Sequence, residues 1–510
     1  MPPQRKVDLV FDSVKRLLRV GATANLSNLL QKQHPADLAQ IFSELTDRDR
    51  AAAFSVLVER NSRLAMETLS ELGPETGAHL LAGRSADEIA RLVQDSPGKK
   101  IVVLSALSGT TNALVRIGEH LLSGDRGAAE AEIDTLEKHY EKYAADLFSS
   151  PEYKAIGQDI VGRYFSLIRL LAAGAFDDRS YRELLAQGEL SSTEFFYYHL
   201  REGKIDSRLL PALHFMSIDD NQEPELEKIG ERLKALLPSM SHLNILITQG
   251  YICRNHRNEI DNLKRGGSDY TASLIGAAIR AEEIQIWTDI DGMHNNDPRV
   301  VKKTVPIAEL TFDEASELAY FGAKILHPST IVPAQKYGVP VRLKNTMDEK
   351  APGTLISDKG TSGQFKAIAA KDGIIAINIK SSRMLLAFGF LRRVFEVFEK
   401  YKTPIDMIST SEVAVSVTID DSSHLSDIIT ELEGFGTIEV DKNQTIICVV
   451  GNKLAEKKGV LHDVFQALAD VRVRMVSYGG SHNNISILVD TSQKEKSLRF
   501  LNQGLFNLSE

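Results

Sequence analysis

Cysteine is scarce. The 510-residue chain has two, Cys253 and Cys448, far apart and in no ligand spacing; two free thiols in a reducing cytoplasm are expected, not a disulfide framework or a cysteine metal site. No run of 18 or more apolar residues occurs, so no spanning helix is expected. The opening "MPPQRKVDLVF" lacks the apolar core and small-residue cleavage site of a secretory signal. An excess of basic charge is also missing. Sixty Lys and Arg against 69 Asp and Glu give −9, which argues against nonspecific nucleic-acid binding but leaves room for a local anion pocket. Neither a G-x-x-x-x-G-K-[ST] loop nor a G-x-G-x-x-G turn before a suitable acid is present, so the P-loop and Rossmann readings fall away.

Hydrophobic residues make up 43% and charged residues 25%, as in a soluble globular protein, and the length predicts two to four domains. Residues 1–95 read as helix throughout. "PADLAQIFSEL", "RDRAAAFSVLVER", "SRLAMETLSEL" and "SADEIARLVQD" carry apolar residues three and four apart, with helix-starting or helix-stopping residues between them. "FSEL" and "LSEL" recur 27 residues apart, which predicts stacked helix pairs in a small superhelix. "DSPGKK" at 95–100 is the first boundary. Beyond it "IVVLSAL" suits a buried parallel strand. Residues 125–240 are mostly helical, and "LNILITQGYIC" at 243–253 is the next strand. A helix runs from about Ser268 to Arg280, and "EIQIWTDI" and "VPVRLKN" add strands. The alternation over 99–360 predicts a layered α/β domain.

The last 140 residues or so contain an internal repeat. "GFLRRVFEVFEKYKTPIDMISTSEVAVSVTID" from Gly389 and "GVLHDVFQALADVRVRMVSYGGSHNNISILVD" from Gly459 align at a constant offset of 70. Each copy reads strand, helix, strand, strand, predicting small split α/β sandwiches over 370–440 and 441–510, with ligand-sized clefts at the glycine turns.

"LKRGGSDYTASLIGAAIR" places the phosphate chemistry. Gly266 and Gly267 permit close backbone approach, the following helix offers free amides, and Lys264 and Arg265 add positive charge, so an anion is the natural occupant. Asp269 in the first turn is either a dipole partner or an active-site carboxylate sharing its charge with a metal or transferring group. In "WTDIDGMHNNDPR", Thr288, Asp289 and Asp291 fall at the carboxyl end of a strand, where open parallel sheets collect ligands; an Asx-rich turn without a ligand is the plainer alternative. "SALSGTTN" at 105–112 is a second small-residue turn. "FGAKILHPST" adds Lys324 as a phosphate counter-ion or a surface lysine, and its His-Pro pair reads as the end of a helix. From the residues alone, the chain handles a nucleotide in an α/β domain followed by a duplicated ligand-sensing module.

Over residues 100–510 these motifs resemble the aspartokinases of the amino-acid kinase superfamily: "LSALSGTTN", "GELSS", "ITQGYI", "RGGSDYTASLIGAA", "WTDIDGM…DPR", "FGAKILHP" and "MISTSEVAVSV" occur in family order. The resemblance implies a three-layer α/β kinase sandwich and two ferredoxin-like ACT domains, to which the helical reading of residues 1–95 adds an all-helical amino-terminal domain. It implies ATP- and Mg2+-dependent phosphorylation of the L-aspartate side-chain carboxylate, the entry to lysine, threonine and methionine synthesis, in a cytoplasmic protein that pairs into a homodimer through its ACT domains. By motif, Ser105 and Thr111 line the amino-acid and phosphate region, Glu189 holds the aspartate amino group, and Arg265 clamps its carboxylate. Asp269 organises the transferring phosphoryl. Gly266, Gly267, Thr288, Asp289, Asp297, Arg299 and Lys324 bind ATP, and no protein metal ligand is implied. His294 stands where many relatives carry a tyrosine.

In lysine-sensitive relatives the first ACT repeat binds the inhibitor. By position Met384, Gly389, Phe390, Ile405, Asp406, Ser411 and Glu412 would contact lysine, or threonine in its place; Leu391 stands where some relatives have an acid. Residues 25–95, with "HPADLA" and "SEL", resemble the cytosolic amino-terminal domain of the magnesium-transporter family, which implies a docking or metal-responsive module. One departure stands out. The "K-F-G-G-T-S" strand that opens aspartokinases is not in this sequence, and a lost donor to developing charge costs about 3–4 kcal/mol in the transition state. Lys264, where relatives usually have glycine, is the candidate replacement. The alternative is a catalytically weak regulatory protein that keeps nucleotide and amino-acid binding.

Overall fold

The computed structural model describes residues 10–508 apart from 12, 19–22, 34, 46–52, 55, 58–63, 65–85, 264, 265, 289, 322–325, 347, 361–363 and 382–387. The chain divides into two compact units, Met1–Ile279 and Arg280–Glu510.

In the first unit, α1 (Thr23–Leu30) and α2 (Pro35–Glu44) belong to an amino-terminal helical region with its own core of Leu26, Leu30, Leu38, Ile41, Phe42, Phe54 and Leu57. The turns expected between the amino-terminal helices, at Thr46-Asp47, Asn61-Ser62, Gly73-Pro74 and Arg84-Ser85, lie outside the described residues. Next come α3 (Ala86–Asp95) and β1 (Lys100–Leu104), then four helices: α4 (Thr110–Leu122), α5 (Arg126–Leu147), α6 (Pro151–Ala173) and α7 (Asp178–Glu202). Side-chain oxygens of Asp125, Ser150 and Asp177 accept the amides of Ala128, Tyr153 and Ser180, so α5, α6 and α7 start where cap residues occur in the sequence. Their facing stripes bury Ile117, Ile133, Tyr140, Ile160, Phe165 and Phe195 together. Truncating Phe195 to alanine there would cost about 3–5 kcal/mol.

After β2 (Ser207–Leu209) and α8 (Leu226–Leu236), β3 (Ile245–Gln249) forms the buried centre of a parallel sheet in the order β1-β3-β2, with Lys100 and Ser207 both opposite Ile245. The "IVVLSAL" strand is therefore half-buried at an edge of this sheet, where full burial was expected; among the described residues nothing pairs on its far side. "LNILITQGYIC" is likewise two strands. Tyr251 adopts φ 63°, the chain leaves the sheet, and β4 (Ile252–Arg254) pairs in a hairpin with β5 (Ile260–Asn262). The unit ends in α9 (Gly267–Ile279), close to the expected span.

The second unit opens with β6 (Ile284–Thr288), β7 (Glu309–Thr311), α10 (Phe312–Tyr320), α11 (Pro328–Tyr337), β8 (Val341–Asn345) and β9 (Thr354–Ser357), the strands ordered β6-β8-β9-β7 with β6 and β8 parallel. The His-Pro pair starts a helix here; it does not end one. Pro328 occupies the first helical position, where its missing amide costs nothing, and His327 Nδ1 accepts the Ser329 amide at 3.2 Å.

The repeat folds as β10 (Ala367–Lys380), α12 (Phe390–Lys400), β11 (Ile408–Thr410), β12 (Ala414–Ile419), α13 (Leu425–Glu433), β13 (Thr437–Val450), α14 (Val460–Ala467), β14 (Val473–Tyr478), β15 (Asn484–Asp490) and α15 (Lys494–Phe506). Each copy gains a second helix beyond the expected strand, helix, strand, strand. One six-stranded sheet, β11-β12-β10-β13-β15-β14, serves both copies. The late part of β10, Ile375–Lys380, pairs with β12 and with the start of β13, while Ala367–Lys371 pairs with Ile446–Val450. The second module thus takes an outer strand from chain that precedes the first. A register shift between Lys371 and Ile374, with Gly373 at φ 77° and Asn443 at φ 58°, marks the passage between modules.

Candidate functional site

The glycine-turn site lies in the first unit. Gly266 and Gly267 have φ 74° and 49°, so the entry to α9 uses the left-handed region that glycine tolerates best, and Asp269 sits in the first turn. Lys264 and Arg265 lie outside the described residues. The turn after β3 comes close: a Cβ on Gly250 would stand 2.1 Å from Ser268 Oγ. Gly250 also donates its amide to Leu104 O at 2.8 Å, which ties the turn to the end of β1.

The loop after β1 completes this cradle. Ser105 Oγ donates to Ser268 Oγ at 2.8 Å, and Ser192 Oγ on α7 donates to Ser105 O at 2.7 Å. Gly188 lets α7 approach the loop, since a Cβ there would lie 2.8 Å from that of Ala106. One residue on, Glu189 is 4% exposed. It receives the Ala106 amide, while its Oε2 is buried without a hydrogen-bond partner among the described residues. Burial pushes this carboxyl from 4.5 up to about 7, against its own amide and that of Ala106. Burial likewise pushes Asp269 from 3.8 up to about 6. A buried, half-satisfied carboxylate needs a cationic donor, and an ammonium group supplies one.

Thr111 is exposed in the first turn of α4; its neighbour Thr110 is the buried one, 3.0 Å from Tyr140 Oη. Ser192 and Ser268 were missed by sequence reasoning. The only signals for them are the second serine of "GELSS" and the serine at the helix mouth.

In the second unit, Thr288 ends β6, and its carbonyl accepts the amide of Thr346 at 2.7 Å. Asp289 is outside the described residues. Asp291 Oδ1 lies 2.7 Å from His294 Nε2, whose Nδ1 meets Thr304 Oγ1 at 2.9 Å, so His294 is engaged within its own loop. Arg299 folds back on Asp297 with Nε and Nη2 bonds of 2.9 and 2.8 Å. Burial raises the Asp297 carboxyl, but the Arg299 bonds and charge outweigh it and leave the net value lowered. Lys324 is outside the described residues.

In the first ACT-like module, Gly389 caps α12 at φ 78°, Phe390 is buried and Ile405 packs against the same core. Ser411 and Glu412 are exposed, the Ser411 amide donating to Ala414 O; Met384 is outside the described residues. Asp406 is already engaged: Lys371 Nζ donates to it at 2.8 Å and Tyr320 Oη at 3.0 Å, while Lys371 also meets Asp420 at 2.8 Å. Burial raises Asp406 despite that ammonium.

Known proteins resemble this chain in sequence and fold. The amino acid kinase family model matches residues 66–345, more than half the chain, and an ACT domain model matches 447–505. Lysine-sensitive aspartokinase 3 of Escherichia coli (strain K12) is 33% identical over 439 residues, covering 83% of this chain and 95% of the relative. The chain belongs to the aspartokinases. Aspartokinase 1, chloroplastic, of Arabidopsis thaliana is 31% identical, with 84% and 79% covered. Among solved structures, E. coli aspartokinase III in complex with aspartate and ADP (R-state) is 32% identical with a TM-score of 0.71, covering 82% of this chain and 96% of that one. The same protein with lysine and aspartate (T-state) gives 0.70. The aspartokinase fold here is thus an amino acid kinase α/β domain joined to ACT modules. Among the described residues no helix is long and apolar enough to cross a membrane.

Proposed function

We propose that the chain is an aspartate kinase, transferring the γ-phosphoryl group of ATP to the side-chain carboxylate of L-aspartate to give 4-phospho-L-aspartate and ADP. The observation that carries this reading is Glu189: a buried carboxylate beside the Ala106 amide, with one oxygen lacking a partner among the described residues, suits the α-ammonium of an amino acid. Aspartate is the partner named for the E. coli relative, together with ADP. Arg265 takes the substrate α-carboxylate, and Ser105 and Thr111 line the approach. The attacking oxygen is already ionised at neutral pH, so no general base is required, and catalysis comes from alignment and neutralised charge.

Asp269, Lys264 and the Gly266-Gly267 amides face the transferring group in this reading, while Thr288, Asp289, Asp297, Arg299 and Lys324 hold the nucleotide. Among the described residues no three His, Cys, Asp or Glu side chains group as a metal cage. Mg2+ enters this reading with ATP, carried on its phosphate oxygens. The ACT pair is read as a sensor for lysine or threonine and as the surface through which two copies pair, in a cytoplasmic protein. The domains run 1–95, 99–360, 370–440 and 441–510, the first serving as a docking module.

Trapping of the acyl phosphate as a hydroxamate, with aspartate, ATP and magnesium, tests the activity. Product well above that of an Asp269→Asn variant supports the kinase. Equal, background-level product from both proteins leaves the regulatory-protein alternative standing.

A further inference from the structure

Three buried asparagines tie the loop after β6 to α15. Asn295, Asn296 and Asn502 are each no more than 3% exposed. Asn502 Oδ1 accepts from Asn295 Nδ2 at 2.9 Å and from Asn296 Nδ2 at 3.5 Å, and its Nδ2 donates to Lys303 O at 3.0 Å and Leu508 O at 3.2 Å. Asn296 Nδ2 also reaches Leu498 O at 3.0 Å, one turn back along α15. Within the loop, Asn295 Oδ1 accepts the Val305 amide at 2.8 Å and Asn296 Oδ1 the Asp297 amide at 2.9 Å. Val301 is fully buried in the second module's core, in one cluster with Leu498 and Leu501.

Such a network is two-sided: every side-chain amide group of Asn502 is used, and moving the loop would leave several of them unpaired away from water. Asp297 and Arg299 follow the asparagines directly in the chain and inherit their position. Their mutual salt bridge shapes the exposed tip, with Arg299 61% exposed at its side chain.

We infer that Asn502, on the last helix of the second ACT module, is a positioning residue for the nucleotide, holding residues 294–305 in the shape that presents Asp297 and Arg299 to ATP. This rests on the proposed reading that those two residues bind nucleotide. The kinase is then assembled only with its second ACT module in place, because the module supplies the wall on which the loop is built.

The test uses the full chain. Asn502→Leu keeps the approximate volume and removes all four bonds. The KM for ATP should rise at least fivefold and the ADP dissociation constant by calorimetry should rise in parallel, with the KM for aspartate within twofold of the parent. An unchanged nucleotide affinity overturns the inference, as does a parallel loss for both substrates, which would mark a general structural role. If Asn502→Leu does not fold, Asn296→Ala is measured in its place: a selective rise in the KM for ATP supports the inference, and an unchanged or unselective result overturns it. Arg299→Ala separates the layers: if it leaves ATP affinity unaltered, the nucleotide reading of the loop fails; if it weakens ATP while Asn502→Leu does not, only the positioning role of Asn502 fails.

Discussion

The hydroxyl of Ser105 donates to that of Ser268 across 2.8 Å, joining residues 163 positions apart in the chain. Ser105 lies just past β1 and Ser268 opens α9, so one bond fastens the small-residue loop to the mouth of the glycine-turn helix. Ser192 holds the same loop from the α7 side. Glu189 and Asp269 therefore reach the site from two helices braced against one loop, and both are held largely out of water. The rise in both carboxyl pKa values follows from that desolvation.

Glu189 should make substrate affinity depend on pH. Its carboxyl is pushed up to about 7, and only the ionised form attracts an ammonium. The KM for aspartate should rise as pH falls below 7, approaching about tenfold per unit. Glu189→Gln should flatten that dependence and raise the KM at pH 8 by about tenfold or more, the scale of a charge-assisted hydrogen bond. Stability runs the other way. A carboxyl raised on folding binds its proton more tightly in the folded state, so stability falls as pH climbs through the window from 4.5 to about 7. Glu189→Gln should melt above the parent at pH 8, by at least about 2 °C, and the difference should vanish below the lower limit of that window. Thermal melts and aspartate titrations at matched pH check both halves; a parent KM that does not move with pH removes the proposed ammonium contact.

Asp269 is expected to limit turnover in acid. Burial places its pKa at about 6, so kcat/KM should drop as the carboxylate protonates below that point, and Asp269→Asn should lose a hundredfold or more, on the order of 3 kcal/mol in the transition state. Hydroxamate formation followed from pH 5 to 8 distinguishes this from a helix-cap role. An Asp269→Asn enzyme with half the parent rate would leave the residue a dipole partner only.

The sequence made long periodic elements and apolar strands legible, because side-chain spacing is fixed by the backbone repeat. Residues 126–202 carry three helices where helix was expected, and β6 ends at Thr288 as the loop motif required. What stayed hidden depended on contacts distant in sequence. A repeat offset of 70 shows that two modules exist, yet it cannot show that Ala367–Lys371 crosses to serve the second one. Asp406 reads as an effector contact by motif, but its pairing with Lys371, 35 residues earlier, has no local signature. Glu189 was found through its family motif, whereas the closeness of α7 to the Ser105 loop depends on the missing side chain of Gly188, visible only once the helix and loop are placed. The His-Pro pair was misread because proline stops one helix and starts another with equal ease.

Gly250 should tolerate no side chain. An added Cβ would lie 2.1 Å from Ser268 Oγ and 2.7 Å from Ser268 Cα, and the second of these is backbone that cannot rotate away. Gly250→Ala must displace the first turn of α9, costing about 2 kcal/mol or more and lowering activity with it. Gly162, inside α6 with nothing within 4 Å of its would-be Cβ, is the control: Gly162→Ala should stabilise by about 0.5–1 kcal/mol. Equal denaturation midpoints for the two variants would contradict the close approach of the β3 turn to α9.

The proposed pairing of two copies through the ACT modules can be tested at the exposed residues around β11. β11 ends the hydrogen-bonded order of the six-stranded sheet, and Ile408, Ser409 and Thr410 are all exposed, although β14 comes near it without pairing. The module carries further exposed apolar side chains: Val413 at the turn after β11, Phe388 before α12, and Leu391 and Phe395 one turn apart on that helix. An end strand with exposed apolar side chains invites pairing, and proteins that remain single copies usually blunt such an edge with lysine or proline. Val413→Asp together with Ile408→Lys supplies that blunting without touching the buried face. Light scattering of the parent should give twice the chain mass, and the double variant should give the mass of one chain while keeping the parent's far-ultraviolet circular dichroism. A parent of single-chain mass at micromolar concentration, or a double variant still at twice the mass, would place the pairing surface elsewhere.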